Sequence, residues 1–260
     1  MQIKAKKSLG QNFLIDKNIL KKIVSVGGIS SGDNILEIGP GTGNLTEYII
    51  KSKPNNIIVV EKDIELSKIL ESKFKNQINI VNKDILKLSE GFYKEEFLTY
   101  GNLPYNISTQ ILAYWCLSKK IKFKKLILMF QKEVADRIIA KVDTKNYSRI
   151  TILANWKFSI KKIFDISPEC FSPKPKINST LLEFTPKNNI AEIQNPKTLE
   201  YITRIFFSQR RKMIKKNFKK LFKDFSNVSK SIGIKLTDRP QNISIDKYFK
   251  IVKEFEGKSD

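Results

Sequence analysis

Asn34-Ile35-Leu36-Glu37-Ile38-Gly39-Pro40-Gly41-Thr42-Gly43, at positions 34–43, is an apolar run followed by three glycines on alternate positions. The run has the length of a buried strand, the glycines mark a tight turn, and Asn44 to Ser52 then has helical spacing. Strand, glycine loop and helix in that order open an α/β fold. The pattern repeats downstream. Ile57-Ile58-Val59-Val60 is a second buried strand ending at Glu61, and Ile64 to Phe74 keeps helical period through Ile64, Leu66, Ile69 and Leu70. Ile78 to Val81 is a third strand leading to Asp84, Phe97 to Tyr100 a fourth, and Lys125 to Phe130 a fifth. Ile160 to Ile166 and Ser179 to Phe184 add two more around the loop 167–176. Alternation of this kind from Asp33 to about Pro186 predicts a mostly parallel sheet.

After Pro186 the pattern changes. Residues 188–196 have linker composition, and 198–260 show only helical periodicity, with one turn signal at Asp238-Arg239-Pro240. The expected division is therefore a domain over 1–187 and a small α-helical one over 188–260.

Composition narrows the chemistry. The 260 residues carry 48 Lys and Arg against 26 Asp and Glu, a net charge of +22. A polyanionic partner, nucleic acid before an anionic membrane, accounts for such an excess. Only six of the basic residues are arginine, so codon bias toward lysine is the plain alternative. Clustering favours a partner: Lys215-Lys216 and Lys219-Lys220 follow Gln209-Arg210-Arg211-Lys212 closely. From Phe206 to Phe218 the apolar spacing and basic residues predict one amphipathic helix, its aromatics packed inward and its cations facing RNA phosphates. There is no histidine, which excludes a histidine base, and the two cysteines, Cys116 and Cys170, have no metal-site spacing. Metal is not expected, and the cysteines are expected reduced in a cytoplasmic protein. No apolar run approaches membrane-spanning length.

Acidic residues stand at three successive strand ends: Glu37 before the loop, Glu61, and Asp84. Gly39-x-Gly41-x-Gly43 is shorter than the dinucleotide pattern, and Pro40 removes a backbone donor, so a diphosphate suits the loop poorly. An uncharged sugar on a cationic amino acid suits it better. Glu61 is placed to accept ribose hydroxyls, Asp84 an adenine amine, and Glu37 to face an ammonium. S-adenosyl-L-methionine has those parts.

At the end of the fourth strand stands Asn102-Leu103-Pro104-Tyr105. An adenine amine is a weak nucleophile because its lone pair is delocalised into the ring. Two acceptors, the Asn102 carboxamide oxygen and the Pro104 carbonyl, can polarise it for methylation, while Tyr105 stacks on the base. No strong base is needed, since the proton becomes acidic only once the methyl has arrived.

With these segments on the page, the chain resembles the KsgA/RsmA-type small-subunit ribosomal RNA adenine dimethyltransferases along nearly its whole length. The resemblance rests on Lys7-Ser8-Leu9-Gly10-Gln11-Asn12-Phe13-Leu14, Glu37 to Gly41 and Gly101 to Tyr105. It extends to Phe171-Ser172-Pro173-Lys174-Pro175-Lys176, Gln209 to Lys212 and Arg239-Pro240. It implies a Rossmann-like class I methyltransferase sheet with a small C-terminal α-helical domain, Gln11 to Leu14 forming a cap over the cofactor. Implied contacts to S-adenosylmethionine come from Asn12, Leu14, Gly39, Glu61, Asp84 and Asn102. Asn102, Pro104 and Tyr105 would meet the target base, with Phe171 a second aromatic wall. Arg210, Arg211, Lys212, Lys215 and Lys216 would contact RNA. The implied reaction is four methyl transfers, two on each of two adjacent adenosines in the 3′-terminal hairpin of 16S rRNA in the assembling small subunit, by a cytoplasmic monomer without metal.

Tyr147-Ser148-Arg149 departs from the family's usual Tyr-Gly-Arg. The resistance methyltransferases acting on 23S rRNA share Asn12, Phe13, Leu14, Pro173 and Pro175, but usually lack the Gly39-Pro40-Gly41 form and the Arg210-Arg211-Lys212 run. An assembly checkpoint that only binds RNA need not retain Glu61, Asp84 and the tetrapeptide. A DNA adenine methyltransferase more often has proline where Leu103 stands. The Lys7 motif begins close to Met1, so a mitochondrial presequence is not expected.

Overall fold

A computed structural model describes Lys6 and residues 10–257; Lys7, Ser8 and Leu9 of the N-terminal motif lie outside the described residues. In chain order the elements are β1 (Phe13–Leu14), α1 (Lys17–Gly27), β2 (Asn34–Ile38), α2 (Asn44–Lys51), β3 (Asn56–Val60), α3 (Ile64–Phe74) and β4 (Asn79–Val81). Then come β5 (Phe97–Asn102), α4 (Ser108–Leu117), β6 (Phe123–Gln131), α5 (Lys132–Ile138), α6 (Arg149–Lys157), β7 (Phe158–Ile166), β8 (Phe171–Ser172) and β9 (Ser179–Pro186). Four helices end the chain: α7 (Pro196–Phe207), α8 (Lys215–Leu221), α9 (Phe225–Ile232) and α10 (Ile245–Glu256).

The chain forms two compact units. The first takes residues up to Tyr114, Lys120–Ala135 and Ser159–Pro186. Its sheet runs β4-β3-β2-β5-β6-β9-β7, with β2 to β6 parallel and β9 antiparallel to β6. The expected α/β class with a largely parallel sheet is what forms. β2 lies between β3 and β5, so the chain reverses its direction of winding there, and the crevice beyond their C-terminal ends is where such sheets hold ligands. The strands read as continuous apolar runs because both faces are covered; Ile35, Leu36, Val59, Leu98 and Tyr100 are almost wholly buried.

α1 was not expected from the sequence. Asp16 caps it, accepting from the amides of Asn18 and Ile19, and Gly28 ends it with φ +65°. Its face Leu20, Ile23, Val24 and Gly27 packs into the core, and the Tyr100 hydroxyl donates to Val24 O at 3.0 Å.

The second unit takes Trp115–Lys119, Asp136–Phe158 and the chain from Lys187 onward. It is thus not wholly C-terminal: residues 115–119 and 136–158 cluster with the helices that follow Pro186. Its centre is aromatic. Phe206 meets Phe218 and Tyr248 edge-on at 5.8 and 5.6 Å, and the Tyr248 hydroxyl donates to Pro240 O. The linker region is fastened: Trp156 donates to Ala191 O, and the amides of Gln194 and Asn195 both donate to the Glu256 carboxylate.

The expected helix over Phe206 to Phe218 is broken in two. α7 stops at Phe207, residues 208–214 form turns, and α8 starts at Lys215. The amides of Ile214 and Lys215 donate to Asp238 O and Leu236 O, so a later loop pulls the chain out of helical continuation. Phe206 and Phe218 are buried all the same.

Candidate active site

The glycine loop leaves β2 with Gly39, Gly41 and Gly43 all at positive φ. Space for a side chain is short at all three as well. A Cβ on Gly39 would stand 3.2 Å from Asn102 O, and one on Gly41 would be 2.8 Å from the Phe13 ring. The loop is thereby pressed against the end of β5 and the N-terminal segment. A pocket opens at this place, lined by Asn12, Gly39, Glu61, Asp84, Asn102 and Pro104. Gln11, Phe13, Gly41, Lys62, Leu66, Asn106 and Ile107 complete it.

Glu61 is only 7% exposed. Its Oε2 accepts from Gly41 N–H at 3.2 Å and its Oε1 from Asp63 N–H at 2.9 Å. Burial pushes its pKa above the usual carboxylate range, opposed by those amides. Each oxygen keeps a second acceptor direction. Asp84 is more exposed; its Oδ1 accepts from Leu86 N–H and its Oδ2 pairs with Lys62 Nζ at 3.0 Å. Burial would raise its pKa, but the Lys62 and Leu86 hydrogen bonds outweigh that and hold it low.

Glu37 is elsewhere. At 2% exposure it lines a smaller neighbouring cavity, with Leu14, Pro40, Asn44 and Met129, and accepts from Thr46 Oγ1 at 2.7 Å. Burial is the main reason that its pKa rises to about 7; the Thr46 bond lowers it and the charge of Glu61 raises it further. Leu14 also lines this cavity rather than the larger pocket, and its carbonyl accepts from Asn44 Nδ2 at 2.8 Å.

Asn102 is the last residue of β5 and touches both spaces. Its Nδ2 donates one of its two N–H groups to Asn12 O at 2.9 Å, which orients the carboxamide, with Oδ1 as its acceptor. Pro104 O accepts from Ile107 N–H at 3.1 Å in the turn that starts α4. The Tyr105 hydroxyl and Ser179 Oγ are 2.6 Å apart, which fixes the ring of Tyr105. Burial raises that phenol's pKa, the Ser179 bond opposing it.

Phe171, expected as a second wall beside the target base, is not among the residues that line this pocket. It is 1% exposed and belongs to the hydrophobic core with Leu14, Leu20, Ile23 and Ile166. β1 and β8 are antiparallel with Leu14 opposite Phe171 and Phe13 opposite Ser172. Alternation along β1 turns Leu14 into the core and leaves Phe13 to line the pocket. The aromatic residue at the pocket is Phe13.

The five basic residues lie in the second unit. Arg210 and Arg211 stand in the turn after α7, with Arg210 Nη2 donating to Thr144 O at 3.1 Å. Lys212 follows them, and Lys215 and Lys216 open α8; all three are exposed. Among the described residues, no group of three or more His, Cys, Asp or Glu could hold a metal, and no helix is long and apolar enough to cross a membrane.

Sequence reasoning placed Gln11 and Phe13 in a cap over the cofactor but missed Lys62, Leu66, Asn106 and Ile107 as pocket residues. Lys62 and Leu66 flank the strand-end Glu61, and Asn106 and Ile107 directly follow Tyr105, so adjacency was the available signal.

Known proteins bear on this geometry. The family model described as ribosomal RNA adenine dimethylase matches residues 2–257. A protein of Pelagibacter ubique named ribosomal RNA small subunit methyltransferase A is 56% identical over 259 residues, covering 98% of each chain. One of the same name from Malacoplasma penetrans is 41% identical, over 96% of this chain and 92% of its own. Among solved structures, a dimethyladenosine transferase from Plasmodium falciparum is similar with a TM-score of 0.74 at 25% identity, covering 95% of this chain and 98% of that one. The 23S rRNA methyltransferase ErmE, at TM-score 0.69 and 20% identity over 94% and 99%, shares the fold.

Proposed function

The chain belongs to the ribosomal RNA adenine dimethylase family, and on that premise we propose that its pocket takes S-adenosylmethionine and that its RNA is the 16S rRNA of the assembling small subunit. The product is N6,N6-dimethyladenosine at two adjacent positions of the 3′-terminal hairpin. The protein works as a cytoplasmic monomer.

The residues present suit such a cofactor. Glu61 offers a buried carboxylate to a ribose, Leu66, Ile107 and Phe13 offer apolar surface to a purine, and Asp84 offers an acceptor to its amine. Three carboxylates in or beside the pocket of a +22 chain favour a cationic ligand. When bound, the cofactor supplies an electrophilic methyl group.

The rest falls to the protein. Asn102 Oδ1 and Pro104 O accept the two N–H bonds of the adenine amine, so its lone pair leaves conjugation with the ring. Tyr105 stacks on the base, which offsets part of the few kcal/mol needed to extrude it from its helix. Rate comes from orientation, because the proton is lost after the methyl arrives. One observation carries this reading: Asn102 Nδ2 donates to Asn12 O, which orients the carboxamide and its acceptor Oδ1 inside the pocket that Glu61 and Asp84 line. The cations from Arg210 to Lys216 serve the rRNA backbone.

The specific substrate is supported by the names of the curated relatives. Incubation with labelled S-adenosylmethionine and either immature small subunits or large subunits, with mass analysis of nucleosides, tests it. Label in dimethyladenosine of 16S rRNA is expected; label confined to 23S rRNA would reassign the enzyme to the resistance type.

A further inference from the structure

Residues 11–13 wall the pocket, and side chains tie this segment down. Asn102 holds Asn12 O and Asn44 holds Leu14 O. The third tie is Gln11. Its Nε2 donates to Asp63 Oδ2 at 3.0 Å, and its Oε1 accepts from the Lys6 amide at 2.7 Å. Lys6 Nζ meets the other Asp63 oxygen at 2.9 Å and Glu65 at 3.0 Å.

Asp63 is 5% exposed and lies just outside the pocket lining. As N-cap of α3 it accepts from Glu65 N–H, which asks nothing of its second oxygen. Its backbone amide donates to Glu61, whose other oxygen accepts from Gly41 N–H. A hydrogen-bonded chain therefore runs from the glycine loop through Glu61 and Asp63 to Gln11. A nearly buried carboxylate that collects an amide and an ammonium from more than 50 positions upstream does more than cap a helix.

We propose that Asp63 is a positioning residue that latches Gln11 beside the cofactor pocket and thereby sets how fast spent cofactor leaves. This rests on the reading of the pocket as the S-adenosylmethionine site. Two methyl groups go onto one amine, so the demethylated cofactor must leave and a fresh one enter between transfers. The wall formed by residues 11–13 has to be firm during transfer and released during exchange.

The test compares wild type with Asp63→Asn, Gln11→Ala and the double variant in the absence of RNA. Asparagine keeps an oxygen for the α3 cap but has no charge for Lys6 and no second acceptor for Gln11. Two quantities are read: dissociation of S-adenosylhomocysteine by stopped flow, and amide exchange at residues 12–15 of the ligand-free protein. Each single variant should release S-adenosylhomocysteine about tenfold faster, the scale of one hydrogen bond to a charged group. The double should be no faster than the faster single, and residues 12–15 should lose protection. Unchanged release in a folded Asp63→Asn protein, or additive effects in the double, overturns the latch. If Asp63→Asn fails to fold, Gln11→Ala decides alone, since Gln11 caps no helix. Wild type with no affinity for S-adenosylhomocysteine would overturn the reading of the pocket instead; amide exchange would still decide the latch.

Discussion

Replacing Phe171 separates the two roles open to its ring. At 1% exposure, packed with Leu14, Leu20 and Ile166, it should behave as a core side chain. Phe171→Ala then costs about 3–5 kcal/mol, the transfer free energy of the ring plus that of the cavity left behind. For a chain of this size that lowers the melting temperature by roughly 6–20 °C. Leu14 lies opposite Phe171 in the β1–β8 pair, so part of the cost should show as loosening of the N-terminal segment. Phe171→Leu keeps a branched apolar side chain in most of the space and removes the aromatic face. It should cost about 1 kcal/mol and leave methyl transfer near wild type. Thermal unfolding by circular dichroism and steady-state methylation of small subunits are read on the same preparations. If Phe171→Leu melts like wild type but methylates tenfold or more slowly, the ring faces the base and the core assignment is wrong.

Other outcomes follow from the same geometry. Tyr105→Ala should weaken transfer by about 1–3 kcal/mol through lost stacking, with Tyr105→Phe restoring most of it; equal losses in both would point to the hydroxyl and Ser179. Asp165 accepts from Thr180, Lys162 and Lys132, which together hold its pKa at about 2 against the usual 3.8. Its stabilising effect is present above the unfolded value and lost as pH falls through the folded one. Asp165→Asn should therefore melt lower than wild type at pH 7 by at most about 1 kcal/mol, with the gap closing between about pH 4 and pH 2. A gap constant with pH would contradict the assignment. Arg211→Ala with Lys212→Ala should flatten the slope of log RNA affinity against log salt by about 1.4, leaving S-adenosylmethionine affinity unchanged; an unaltered slope would remove both from the RNA face.

Much of the fold is legible because buried parallel strands announce themselves as apolar runs between turn residues. β2, β3 and β5 are of this kind, and Glu61 and Asp84 stand out as charges where such runs stop. α1 carries an equally plain signal, with Asp16 before it, Gly28 after it and buried residues at 20, 23, 24 and 27. What is not legible depends on partners far along the chain. Phe171 is turned inward by its register with Leu14, and nothing near residue 171 encodes that. The apolar period from Phe206 to Phe218 continues across the break between α7 and α8 because both helices pack on the same aromatic core. The break itself is set by the carbonyls of Leu236 and Asp238. Asp63 reads as an ordinary helix cap, and its bond to Gln11 spans 52 positions.

The most direct test of the central claim is a single-turnover experiment with Asn102→Ala at saturating S-adenosylmethionine, cofactor affinity being measured in parallel. Loss of one acceptor aimed at the reacting amine predicts a fall of about 10²–10³ in the rate of dimethyladenosine formation, beyond any change in cofactor affinity. A rate equal to wild type at saturation would mean that Asn102 does not hold the adenine amine, and the account of the site would fail.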